Sequence, residues 1–361
     1  MGGIDMIDGI KIKTTINNLD NWREITKIRL STSIDRNTGE IDSRKRKNKI
    51  ITKHRGNWEF YNIEVIEVKE LIVNSTSYYL NIRGSLHKNH FRGQNWQPFN
   101  WNDLEFQVRH ICKSLFIEPE SSLISGLEFG VNITTPFNIK AFLDNNVIDF
   151  KGKRFDKYIP DKRGLELGLF CRLSQYQIKL YDKGKQNNLN FNLMRFEKKC
   201  KKMQVLKKKG ILHLADLLNK AKVYSLKPLL LRSWKDVLIN DLEDSELLNF
   251  QISDEEDRLL SDGRNEIYWQ KVKENNLHSY NYKRRKYREL VQKFGLNYHR
   301  LINQKLNETW DSLFDNSLNL PVVISSQLNN LTIKIKGKYN ESISKYCNPC
   351  LWNGPTIVKY N

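Results

Sequence analysis
Residues 127–133 constrain the fold more than any other stretch. Leu127, Phe129, Val131 and Ile133 alternate with Glu128, Gly130 and Asn132. Period-two alternation is the signature of an extended strand, because successive side chains leave opposite faces. The apolar face must be covered by helices or another sheet. The other face presents a carboxylate, a gap and an amide.

The chain on either side extends this pattern. Residues 7–82 read mostly as β-structure, with alternation at 8–13 and further strands at 58–65 and 78–82. A helix is expected over 102–116, with Leu104, Val108, Ile111 and Leu115 on one side and Asn102 and Glu105 forming its capped start. A helix at 136–145, strands at 166–173, 175–182 and 191–199, and a helix at 211–218 follow. Up to about residue 222 the pattern predicts an α+β fold, an antiparallel β-sheet with helices on one face. Beyond it the chain reads as α-helical at 226–249, 254–276 and 280–307, the last divided at Gly295. The predicted division is 1–222, 223–320 and a C-terminal extension at 321–361, where 332–336 alternate. No internal repeat is evident.

Charge narrows the function. Across 361 residues, 60 Lys and Arg against 41 Asp and Glu give a net charge of +19, which points to a polyanionic partner. The cations are concentrated at 43–49, 198–209 and 282–288, the last interleaved with tyrosines. Any one cluster could be a solvated surface, but three together favour nucleic acid, where cations meet phosphates and rings stack on bases. The five cysteines make no disulfide framework, and Cys347 and Cys350 form a lone CxxC that is weak as a zinc site. No stretch has the length and apolarity of a membrane span, and no signal-peptide pattern opens the chain. A reducing, intracellular setting is expected.

One segment carries chemistry. Tyr181 lies among lysines on a predicted strand, just before a second strand with Arg195 and Glu197 on one face. A tyrosine is a poor nucleophile at its ordinary pKa and needs cations or a metal beside it. Period-two spacing puts Lys179 and Lys183 on the Tyr181 face and Tyr176 on the opposite face, in the core. The plainer alternative is a basic hairpin with a half-buried tyrosine.

Several short motifs occur in order: 6–8, 123–129, Tyr181-Asp182-Lys183, Met194-Arg195-Phe196-Glu197 and 264–269. Together they resemble the gene II replication initiators of filamentous phages and, more loosely, plasmid Rep_trans initiators and relaxases. The resemblance implies a Rep-like (HUH) nickase core and rolling-circle initiation by metal-dependent nicking and rejoining through a 5′-phosphotyrosine. It places the nucleophile at Tyr181, assisted by Lys183, and matches the family's central acidic residue to Glu128, although Gly126 replaces the usual preceding Arg. Its Arg-Phe-Glu falls on Arg195, Phe196 and Glu197. Its Gly-His-Asn falls on Gly93, Gln94 and Asn95, so the imidazole would come from His87 or His90.

Glu128, Glu197 and His87 are therefore the expected ligands of Mg²⁺ or Mn²⁺. The expected DNA contacts are Arg44, Lys45 and Arg46 on a loop, Lys179, Arg195 and Lys198 near the tyrosine, and Lys283, Arg284, Arg285 and Arg288. Those last four would face outward from a helix that buries Tyr287, Leu290, Val291 and Phe294. Origin DNA, a host helicase and the cytoplasm of a bacterial host complete the expectation. A non-catalytic DNA-binding relative and an RNA-binding protein are the competing readings.

Overall fold
The computed structural model describes residues 6–34, 39–160, 164–242 and 251–315. Cys347 and Cys350, the alternation at 332–336 and the extension from 321 lie outside the described residues.

The strands before the central one are β1 (Ile7–Ile16), β2 (Ser31–Thr32), β3 (Ser43–Arg46), β4 (Lys49–Trp58), β5 (Tyr61–Glu70) and β6 (Ser75–Ser85). The central strand β7 (Leu123–Thr134) is followed by β8 (Val147–Phe150), β9 (Lys153–Arg154), β10 (Asp156–Tyr158), β11 (Gly168–Arg172), β12 (Tyr176–Asp182), β13 (Leu193–Cys200) and β14 (Val237–Ile239). Eleven of these form one antiparallel sheet in the order β10-β11-β12-β13-β7-β1-β6-β5-β4-β2, with β3 also on β4. The α+β architecture read from the sequence is the one observed.

The helices are α1 (Leu19–Thr26), α2 (Leu86–His90), α3 (Trp101–Leu115), α4 (Ile139–Asn145), α5 (Lys183–Gln186), α6 (Gln204–Lys207), α7 (Lys220–Tyr224) and α8 (Lys227–Lys235). Four more close the described chain: α9 (Asp254–Gly263), α10 (Glu266–Asn275), α11 (Leu277–Phe294) and α12 (Tyr298–Ser312). Phe129, Val131 and Ile133 of β7 join Ile178, Leu180 and Phe196 in a core closed by Leu104, Val108 and Ile111 of α3. Trp234 of α8 and Ile302, Leu306 and Trp310 of α12 complete that cover. The alternating strand thus buries its apolar face under helices, as its pattern requires, and leaves Glu128, Gly130 and Asn132 on the far side.

Several local expectations change. Helix α3 starts earlier than predicted, because Asn100 accepts from the Asn102 and Asp103 amides while the Asp103 carboxylate accepts from the Asn100 amide. The 211–218 helix is a 3₁₀ turn, Leu214–Leu218. The 226–249 helix ends at Lys235, because Val237, Leu238 and Ile239 leave it to pair with β8 and are buried there. The part of that prediction from 243 lies outside the described residues. The 254–276 helix is two, the second capped by Asn265. The basic run at 43–49 is a hairpin rather than a loop, but Arg44, Lys45 and Arg46 are exposed as expected.

Helix α11 departs from expectation on one residue that matters. Tyr287, Leu290, Val291 and Phe294 are buried and Arg285 is exposed, as its periodicity predicts. Arg284, however, is turned inward: its Nη1 donates to Asp149 Oδ2 at 2.8 Å and its Nη2 to the Asp236 carbonyl at 3.0 Å. It holds the helix to β8 and is not an outward DNA contact. Arg288 is also largely enclosed, with burial and the neighbouring Arg284 lowering its pKa to about 10. Removing one member of a buried ion pair leaves the other unpaired, so Arg284→Ala should cost about 3 kcal/mol in urea unfolding. Arg285→Ala, at an exposed position, should change stability by less than about 0.5 kcal/mol in the same measurement.

Candidate active site
The cross-strand register of the sheet sets which side chains meet on the face opposite the helices. Lys179 pairs with Glu197 and Tyr181 with Arg195 across β12–β13, while Arg195, Glu197 and Lys199 lie opposite Asn132, Gly130 and Glu128 across β13–β7. Partners in an antiparallel pair share a face. Lys179, Tyr181, Arg195, Glu197 and Glu128 therefore converge; spacing predicts the shared faces of Lys179 with Tyr181 and of Arg195 with Glu197, and the family resemblance the place of Glu128.

The cluster is almost dry. Tyr181 is 3 % exposed, Glu197 and Arg195 0 %. Glu197 accepts from Arg195 Nε at 2.6 Å, from Lys179 Nζ and from the Tyr181 hydroxyl at 3.4 Å. Lys179 also donates to Glu128 Oε1 at 2.9 Å, and Lys199 reaches Glu128 Oε2 at 2.6 Å. Arg195 Nη1 donates to Asn132 at 3.0 Å. Small residues make the room: a Cβ on Gly130 would strike the Phe196 carbonyl and the Glu197 Cβ.

Asp8 joins this cluster, a residue that strand periodicity does not bring there. Between Ile7 and Ile10 the β1–β7 register shifts, so Asp8 and Gly9 bulge beside Glu128. A bulge re-aims a side chain that regular pleating would place elsewhere. Ser85 Oγ donates to one Asp8 oxygen and Asn95 Nδ2 to the other at 3.1 Å. The signal was present: inward Ile7 and Ile10 are three apart, while Ile10 and Ile12 are two apart.

Carboxylate oxygens of Asp8, Glu128 and Glu197 lie within 4.8 Å of one another. Three hard oxygen donors suit Mg²⁺ or Mn²⁺ in preference to a soft metal. His87 is not in this set. It is wholly buried on α2, stacked on Phe99 with ring centroids 5.1 Å apart, and its nearness to Asp8 is felt as charge. His90 is further removed, bonded to Asp103 at 3.2 Å. Asp8 thus stands where an imidazole was expected, because α2 packs His87 among phenylalanines.

The electrostatics divide the carboxylates. Burial and the adjacent Glu197 charge push Glu128 up to about 7, against the pull of Lys179 and Lys199. Burial also opposes ionisation of Glu197, yet Lys179 and Arg195 outweigh it and hold that carboxyl well below its usual range. For Asp8, burial is overcome by Arg195, Lys183 and His87, and the group is lowered. Burial, with Glu197 alongside, lifts the Tyr181 phenol well above its ordinary value.

The remaining predicted residues scatter. Lys183 does not share a strand face with Tyr181: β12 ends at Asp182, whose carboxylate caps α5 by accepting from the Lys185 amide at 2.7 Å. Lys183 is nevertheless beside the phenol, with Nζ 5.6 Å from the Tyr181 ring centroid. Lys179 and Arg195 are buried in the carboxylate cluster rather than presented as surface contacts. Lys198 points to the helix side, donating to Ser233 at 2.9 Å and lying 3.9 Å from the Tyr176 ring centroid. Tyr176 is on that opposite face, as expected. Tyr158 covers the site, its ring centroid 5.0 Å from that of Tyr181.

Among known proteins, a solved structure described as a rolling circle replication initiator protein from Geobacillus stearothermophilus is similar to this chain. It shares 12% identity over 66% of this chain and 86% of its own, with a TM-score of 0.32. No protein-family model and no curated protein matches the chain. A likeness of that size is partial, and the chemistry rests on the geometry above.

Gly130→Ala should lower stability by about 2 kcal/mol, since the new methyl overpacks the β7–β13 contact and moves Glu197. Thermal unfolding measures the change, and an unaltered Tm would mean that the two strands are not packed this closely.

Proposed function
We propose that this chain is a metal-dependent DNA nicking and rejoining protein that starts rolling-circle replication, with Tyr181 as nucleophile. The observation that carries the reading is the Tyr181 hydroxyl on Glu197, itself one of three clustered carboxylates.

A second observation supports a DNA strand on the same face. By register, Lys11 and Lys13 of β1, Arg83 of β6 and Arg55 of β4 share the face of Glu128 and Lys199. Lys11, Lys13 and Arg83, with Arg55 held by Glu64 at 3.1 Å, line an open groove of about 630 Å³. A second hollow, lined by Lys11, Arg83, Glu128 and Lys199, continues it to the carboxylates. Burial first, and then the neighbouring charges of Arg83, Lys199 and Lys13, hold Lys11 below its usual pKa. Such a track neutralises phosphates and steers a strand towards Tyr181. It replaces the buried Lys179, Arg195, Lys198 and Arg284 as the contact surface, while exposed Arg44, Lys45, Arg46 and Arg285 remain able to meet duplex phosphates.

In the reaction, the Tyr181 oxygen forms a bond to the DNA phosphorus and the bond to the 3′ oxygen breaks. The phenol proton leaves by way of its hydrogen bond to Glu197 and comes to rest on Glu128, the carboxyl pushed up to about 7, and the 3′ oxygen departs as a hydroxyl by taking that proton. The 5′-phosphotyrosine keeps the bond energy for rejoining. Asp8, Glu128 and Glu197 would hold the cation, whose charge would neutralise the phosphate and ease loss of the phenol proton. Lys179 must then release at least one carboxylate. Tyr158 must also move, and it sits on β10, a three-residue strand at the sheet's edge.

A non-catalytic DNA-binding protein is the second reading, favoured by the Lys179 ammonium bridging Glu128 and Glu197 and by the buried phenol. Covalent capture of single-stranded oligonucleotides with and without Mn²⁺ separates the two. The nickase reading requires an adduct with Mn²⁺ that disappears in EDTA and in Tyr181→Phe, and is reduced by at least about 100-fold in Asp8→Ala. Binding without any adduct would favour the second reading.

Lys11→Ala/Arg83→Ala should weaken single-strand binding and flatten the slope of log affinity against log salt by about 1.4, or ~0.7 for each phosphate no longer neutralised. An unchanged slope would place the strand elsewhere.

A further inference from the structure
The four-stranded ribbon β3–β6 outruns the core. Val65 and Leu80, opposite each other, are the last buried residues on β5 and β6 towards the turn, and none is buried on β3 or β4. The five rungs from Ile66 to Glu70 extend the ribbon by about 17 Å at ~3.3 Å per residue. At its end the β5–β6 turn exposes Leu71, Ile72 and Val73, at 43, 75 and 71 %. An isolated exposed aliphatic is ordinary, but a contiguous set at a projecting tip marks a contact site.

The adjoining turn is basic. Arg44, Lys45, Arg46 and Lys47 are exposed at the β3–β4 hairpin, and the Leu71 amide donates to the Asn48 carbonyl at 2.8 Å, tying the two turns together. Glu70, the acidic group nearest the tip, is already paired with Lys49. Arg44 and Arg46 lie opposite Ile51 and Lys49, which share the face of Arg55. The tip therefore stands at the far end of the same face that carries Tyr181. Aliphatic wedges flanked by cations insert between base steps and unstack them, while the cations hold the backbone.

We propose that this tip is a strand-separating wedge for DNA. Ile72 and Val73 enter a base step at the junction of duplex and single strand, Arg44, Lys45, Arg46 and Lys47 grip the duplex phosphates, and the freed strand runs along the basic face. This rests on the function proposed above. Charge complementarity and continuity with the basic face favour DNA as the occupant.

The test uses the full chain and three fluorescent DNAs of one sequence: a forked duplex, a blunt duplex and a single strand. The wild type should bind the fork about tenfold more tightly than the blunt duplex, and 2-aminopurine at the junction should brighten. Ile72→Asp/Val73→Asp should remove both effects and leave single-strand binding and the Mn²⁺-dependent adduct unchanged. Ile72→Leu/Val73→Leu should retain them. Fork preference that survives the Asp pair would overturn the wedge alone. So would wild-type binding to phosphatidylserine vesicles that the Asp pair abolishes, with no fork preference. Failure to bind any of the three DNAs would overturn the wedge and the nickase together.

Discussion
Glu197 is a wholly buried carboxylate on a sheet, and such a charge is tolerable only when its oxygens are met by donors. Arg195, two residues earlier on its own strand, and Lys179, directly across on β12, supply them. A one-residue slip of β13 would turn Arg195 and Glu197 into the helix-covered core and bring Phe196 out, at a cost of several kcal/mol. The charge contacts and the apolar packing therefore select the same register, and that register decides where the Tyr181 hydroxyl ends.

The two faces then acquire separate duties. The helix face is mainly hydrocarbon from α3 through α8 to α12, and Lys198 on that face has its ammonium bound to Ser233. The other face concentrates ionisable groups, made possible by Gly130 and by the bulge at Asp8 and Gly9. Its inner part is electrically satisfied, carboxylates against Lys179, Lys199 and Arg195, whereas its outer part is predominantly cationic. A polyanion would be drawn to the outer part first. Under the proposed function, a phosphate arriving from there would compete with Glu128 and Glu197 for Lys179.

Sequence periodicity by itself determined the α+β layering, the faces of β7, β12 and β13, and the inward stripe of α11. These follow from local geometry: a strand repeats every two residues and a helix every 3.6, so the face of a residue is settled by its neighbours. That Lys179 shares a face with Tyr181, and Arg195 with Glu197, was legible for that reason, whereas the place of Glu128 beside them was implied by the family resemblance, since strand pairing is not local. Tertiary structure alone decided the rest. Asp8 reaches the cluster through a bulge that breaks the period, and His87 is withdrawn because α2 packs it on Phe99 and Phe91. Asp182 ends β12 by capping a turn, which takes Lys183 off the strand. Arg284 turns inward because Asp149, 135 residues earlier, offers a buried carboxylate. Composition can count cations, but whether each meets solvent or a buried acid depends on partners distant in sequence, and only the folded chain brings those partners together.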